Sequence, residues 1–134
     1  MACPFFSPVR VLEPSGWLLP PRMPLGDTYT GVCHARPGDP IDPPEARQRE
    51  FCNRGYARGK CECFPANALA DAVRFSIIRE QEGCVHLVYV LEKDHAPVEH
   101  GPLKFNGTLT GVAGRELLAA QAGAFLESYR RRDV

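Results

Sequence analysis

The chain has 134 residues, a formal net charge of zero, six cysteines and thirteen prolines. A chain of this length buries roughly two-thirds of its unfolded surface, so it needs no disulfides to fold, and zero net charge excludes a broadly basic nucleic-acid coat while leaving local patches open. It shows no basic-then-apolar leader and no apolar run that could span a bilayer, so the expected setting is a reducing cytoplasm with no membrane attachment. There, cysteines serve as metal ligands or buried thiols more often than as a disulfide framework.

Ten of the thirteen prolines lie before residue 45, and their fixed backbone angles and missing amide donors predict an extended, irregular region. Phe5, Phe6, Val11, Leu12, Trp17, Leu18, Leu19 and Leu25 make it too apolar for a solvated tail. Residues 1 to about 41 therefore read as an ordered arm wrapped over one domain, with polar turns at Gly26-Asp27 and Pro37-Gly38-Asp39-Pro40; a disordered leader is the alternative.

The segment 42–64 is expected to carry a cysteine-bearing helix and its exit loop. Asp42 is placed to cap free amides, Pro43 suits the first helical position, and Glu45 complements the positive end of the helix dipole. The helix should run to about Ala57, with Gly59 as its stop.

Antiparallel strands are expected over 70–110. Asp71 to Ile78 and Val85 to Leu91 are rich in Val, Ile, Phe and Tyr around a turn-prone Glu80-Gln81-Glu82-Gly83, and a third short strand is predicted from Leu103 to Leu109. Apolar residues on both faces of the second strand suggest that it is covered on both sides. Over 113–132 the spacing of Leu118, Ala122, Phe125 and Tyr129 predicts an amphipathic helix, with Arg130-Arg131-Arg132 favourable at its carboxyl end. The fold class that follows is a small α+β domain: a short antiparallel sheet made of a hairpin and a third strand, two main helices and the proline-rich arm.

Cysteine is the most informative residue type. Cys3 lies in the arm, Cys33 at its far end, Cys52 on the first helix, and Cys61 and Cys63 beyond the glycine stop. Thiolates arriving from separate segments suit a metal cluster, and the spacings lack the close Cys-x2-4-Cys pairs favoured by zinc. Phe5, Phe6, Phe51, Tyr56 and Phe64 stand beside the cysteines in sequence and can exclude water from a centre. The eighteen residues between Cys33 and Cys52, and the eight between Cys52 and the Cys61-Glu62-Cys63 pair, resemble part of the pattern in the catalytic subunit of ferredoxin-thioredoxin reductase. That family carries three Cys-x-Cys pairs, whereas Cys33 and Cys52 are single, so one cluster ligand and the redox thiol implied by the pattern have no counterpart and the resemblance is not adopted.

The resulting expectation is a 4Fe-4S iron-sulfur protein acting in electron transfer, redox sensing or as an accessory subunit, and not an enzyme on its own. Cys3, Cys33, Cys52 and Cys61 are the ligands, with Cys63 as the alternative fourth. Pinning the apolar arm is the reason to prefer Cys3. A zinc-stapled interaction module and a metal-free set of buried thiols are the alternatives. Cys84 reads as a small buried side chain.

Other signals are weaker. Glu92, Asp94, His95, Glu99 and His100 crowd one connection, an acid-base or cation site in one reading and a polar loop in the other. His34 reads as a loop residue within reach of the centre, and His86 as a core or sheet-surface residue. Arg47, Arg54 and Arg58 suggest a docking face for an acidic redox partner, and with Tyr56 and Phe51 they also admit nucleic acid. No hydrolase, phosphate-loop or zinc-protease motif is present.

Overall fold

The computed structural model describes residues 2–11, 25, 28–36, 38–112 and 114–132. The expectations for Trp17, Leu18, Leu19 and the Gly26-Asp27 turn fall outside them. The fold is α+β, built from a two-stranded sheet, a four-stranded antiparallel sheet and two helical segments.

The arm contributes regular structure. Strand β1 (Phe6–Val11) pairs antiparallel with β2 (Tyr29–Cys33), and the register sets Phe6 against Cys33 and Pro8 against Gly31. A Cβ at position 31 would stand 2.0 Å from the Ser7 carbonyl oxygen, so only glycine allows the strands to approach this closely. Ala2 is fully buried and exchanges backbone hydrogen bonds with Val73 at 2.8 Å in both directions, which stitches the start of the arm to the larger sheet.

The first helical segment is shorter and wider than expected. Helix α1 (Glu45–Arg47) passes into a π-helical turn over Gln48–Cys52 and ends there instead of reaching Ala57. Asp42 makes no cap: Pro44 holds the N-cap position without a side-chain hydrogen bond. The wide turn closes where Asn53 N–H donates to the Gln48 carbonyl at 3.0 Å and the Asn53 side-chain amide donates to the same oxygen at 2.9 Å. Side-chain donors that compete for a backbone carbonyl in this way redirect the last helical turn.

Strands β3 (Ala72–Gln81), β4 (Cys84–Lys93), β5 (Ala96–Phe105) and β6 (Leu109–Thr110) form a meander in that order. β5 begins at Ala96, not Leu103, so the stretch read as a polar loop is largely strand despite Pro97 and Pro102. A register shift between Leu91 and Glu92 absorbs the irregularity. Helix α2 (Glu116–Arg132) covers one face of the sheet, where Phe75 and Phe125 rings meet at 5.5 Å. Phe6, Leu25, Tyr29, Val73 and Leu87 are almost fully enclosed between the layers, each contributing on the order of 2 kcal/mol by leaving water. The opposite face of β4 is covered at one end only: Val90 and Glu92 are buried there, whereas His86 and Val88 are half-buried, so the expected cover on both sides holds for part of the strand.

Candidate metal centre

Five of the six cysteines meet. Cys3, Cys33, Cys52, Cys61 and Cys63 line one cavity, walled otherwise by Ala35, Ile41, Pro43, Phe51, Ala57 and Phe64, with Arg47 the one charged residue in its lining. The free space between them is ≈ 20 Å³, about that of one water-sized body. None of the six cysteines is in a disulfide.

Each thiol is delivered by its own backbone device. Cys3 N–H donates to the Cys52 carbonyl at 3.0 Å, tying the arm directly to the end of the π-turn. Cys33 closes β2 and exchanges hydrogen bonds with Ile41 at 2.8 and 3.0 Å, which folds the following loop back beside it. Cys61 N–H donates to the Ala57 carbonyl at 2.8 Å, and the Cys61 carbonyl accepts from Phe64 N–H at 3.0 Å, so Cys61 and Cys63 sit in consecutive tight turns. The Phe5 ring packs edge-on against Phe64 at 5.5 Å on this side of the molecule.

Buried polar residues that sequence reasoning passed over hold these segments in place. Asn53 is fully buried; its side-chain carbonyl accepts from Tyr29 N–H at 2.9 Å and its amide donates to the Tyr29 carbonyl at 2.8 Å. Gln48 accepts from Gly31 N–H at 3.2 Å and donates to the Pro43 carbonyl at 2.6 Å. Together they lock β2, which carries Cys33, to the turn that carries Cys52. Gln121 of α2 donates to the carbonyls of Cys3 and Phe6, both at 2.8 Å. The legible signal was a polar amide on the apolar stripe of a predicted helix, since such a group is buried only with partners.

Electrostatics of the cavity disfavour bare thiolates. Burial pushes the Cys3 thiol up to about 12, and neighbouring Cys52, Cys33 and Cys61 add to the rise against a hydrogen bond from Phe5 N–H. Cys52 also rises to about 12, by burial first and then by Cys33 and Cys61, with Arg47 opposing. Cys33 is raised by burial and by Cys63 and Cys61. Three sulfurs are thus protonated unless a cation supplies the missing charge, and metal binding at such a site releases protons. Arg47 stands at the rim, its guanidinium 3.8 Å from Cys63 Sγ and 3.3 Å from Glu62.

Other expected site residues are elsewhere. Tyr56 does not shield the cysteines: its hydroxyl donates to Glu92 at 2.7 Å and its ring stacks on His95 at 4.3 Å. Glu92 is buried and also accepts from Arg74 at 2.8 Å, while Glu99 pairs with Arg115 and accepts from Tyr89 at 2.7 Å, so these two carboxylates are held in structural pairs. Cys84 is half-buried, not enclosed, and its sulfur lies 3.5 Å from His86 instead of lining the cavity. His34 is exposed, and its N–H donates to the Phe5 carbonyl at 2.8 Å. Of the arginines, Arg58 is committed to Asp71 at 2.6 Å and to the carbonyls of Ala66 and Ala68, whereas Arg54 is exposed.

Among the described residues, no group of three or more His, Cys, Asp or Glu side chains is arranged so as to hold a metal ion, and no helix is long and apolar enough to cross a membrane. Compared with protein-family models, with curated proteins and with solved structures, the chain matches none.

Proposed function

We propose that the chain is a cysteine-ligated metalloprotein carrying a 4Fe-4S cluster on Cys3, Cys33, Cys52 and Cys61, and that it works in electron transfer, in redox sensing or as an accessory subunit. The observation that carries this reading is the meeting of five thiols from four remote segments around one apolar-walled cavity. The donor set fits a cluster: thiolates are its usual ligands, and approach from several directions is what a polynuclear group needs. Cys3 is preferred to Cys63 because a ligand there pins the arm to the domain, whereas Cys63 is engaged by Arg47.

A bound cluster supplies reversible one-electron exchange. The chain's own residues do the rest. Phe51, Phe64 and Ile41 exclude water, and Arg47 offsets part of the negative charge that four thiolates bring. An acidic redox partner would dock at the rim near Arg47 and Arg54 in a reducing, cytoplasmic setting, with Arg58 left to its structural role. Nucleic acid on the same arginines is the weaker option.

The second reading, a zinc ion that staples the arm to the domain, is favoured by the ≈ 20 Å³ of free space, which suits one ion better than a cluster. Anaerobic purification, a visible absorption spectrum and iron, zinc and acid-labile sulfide analysis separate the two. A brown protein with iron and sulfide in equal amounts is the expected result. A colourless protein with one zinc establishes the second reading, and a chain that binds neither metal overturns both.

A further inference from the structure

The open end of the sheet's outer face, around His86 and Val88, has an unusual charge pattern. The register sets Arg79 opposite His86 and His86 opposite Lys104, so three basic side chains stand abreast on neighbouring strands. Strands lie about 4.8 Å apart, so two like charges stand two strands apart on one face with an imidazole between them. Among the described residues neither Arg79 nor Lys104 has a carboxylate partner.

A β-bulge creates the arrangement. Pairing shifts between Ile77 and Arg79, leaving Ile78 as the extra residue. Without it, strict alternation would turn Arg79 to the helix side, where Glu80 instead accepts from Tyr129 at 2.7 Å. With it, Ile78 and Arg79 border the same shallow groove of ≈ 480 Å³ as His86, Val88, His100 and Pro102. Ile78 is 64% exposed although it is a large aliphatic residue in regular structure. Ser76, Val88 and Pro102 form the next cross-strand row, and Arg74, Val90 and His100 the one after, with Arg74 neutralised by Glu92 at 2.8 Å.

We propose that this face binds an acidic segment of a partner protein, whose carboxylates meet the Arg79–His86–Lys104 row and whose aliphatic side chains rest on Ile78, Val88 and Pro102. Charge complementarity selects the sign of the partner and desolvated aliphatics supply the contact area. No Phe, Tyr or Trp lines the groove, so the only rings offered to a base are the His86 and His100 imidazoles, a smaller platform than single-stranded nucleic-acid grooves present. The inference is independent of what fills the cysteine cavity.

The test is amide chemical-shift mapping on the full-length, isotopically labelled chain. Three probes are titrated: a short peptide of alternating Glu and Val, its Gln-Val counterpart and oligodeoxythymidine. The Glu-Val peptide should shift amides of Ile78, Arg79, His86, Val88 and Lys104, and added salt should weaken it. The double variant Arg79→Glu/Lys104→Glu should bind it about tenfold more weakly, with the remaining β4 amides unmoved as a check on folding. The proposal is overturned if no shifts map to this face, if the double variant or the Gln-Val peptide binds equally well, or if oligodeoxythymidine gives the same shifts at lower concentration.

Discussion

Arg58 Nε donates to Asp71 Oδ1 at 2.6 Å, and the same guanidinium holds the carbonyls of Ala66 and Ala68. The loop that carries Cys61 and Cys63 is thereby fastened to the start of β3. Burial alone would push the Asp71 carboxyl up, but the Asp94 N–H and the Arg58 guanidinium outweigh it and hold the carboxyl below its usual value. A lowered carboxylate pKa contributes stability that is fully present above the unfolded value of about 3.9 and is lost as pH falls through the folded value. Denaturant midpoints measured from pH 6 down to pH 2 should therefore fall in the acid range. Arg58→Met should cost about 2 kcal/mol at neutral pH and flatten that fall; an unchanged acid profile in the variant would show that Asp71 is held by something else.

Ligand identity is tested by single replacements. Cys33→Ser, Cys52→Ser and Cys61→Ser should each lose most of the bound metal, and Cys84→Ser should keep it. Cys3→Ser should behave like the first group, and Cys63→Ser should retain metal with an altered spectrum, because its Arg47 contact borders the centre. Full occupancy in Cys52→Ser means that the assignment is wrong.

Metal removal should act first on the arm. Ala2 and Cys3 are held by backbone hydrogen bonds to Val73 and Cys52, while β4 lies between β3 and β5. If the metal joins these segments, its binding energy is part of their folding energy. Chelation should speed hydrogen exchange at Cys3, Phe6 and Ile41 before it affects Leu87 or Tyr89. Equal protection with and without metal would disconnect the arm from the centre.

Gly31→Ala tests the close approach of β1 and β2. The added methyl would meet the Ser7 carbonyl oxygen, a backbone atom that cannot swing away. A loss of about 2–3 kcal/mol in urea denaturation is expected; a loss below about 0.5 kcal/mol, the range of a neutral surface change, would mean that the strands separate at little cost.

Gln121→Met keeps the side-chain length and removes the donor to Cys3 and Phe6. Two carbonyls are then left without that partner, at a cost of about 1–3 kcal/mol. Because one of them belongs to Cys3, metal affinity should fall along with stability. A variant that loses stability but retains metal at the parent affinity would show that Cys3 needs no help from α2.

The parts of this fold legible in the sequence were those governed by one-dimensional periodicity. The two-residue alternation of Val85, Leu87, Tyr89 and Leu91 gave β4, and the spacing of Leu118, Ala122 and Phe125 gave α2. The grouping of Cys3, Cys33, Cys52 and Cys61 was expected from their number and separate segments. What escaped were features decided between distant residues. Pro97 and Pro102 spoke against a strand, but pairing along β4 outweighed local propensity. The helical segment stops at Cys52 because Asn53 turns inward to Tyr29, a contact no local window reveals. Cys84 was read from its residue type alone, whereas the alternation of β4 sets it beside His86 on the face opposite Val85 and Leu87.

The bond between Gln121 and Cys3 spans 118 residues, and this has a consequence for biosynthesis. Cys3 leaves the ribosome before every strand and helix of the described fold, and α2 follows all the others. Until α2 has emerged, the arm that carries Cys3 lacks the two bonds by which Gln121 holds it. Long-range closure of this kind is slow relative to local folding. The nascent chain thus passes through an interval in which all the residues that line the cysteine cavity have been made but the arm is not yet fastened to α2.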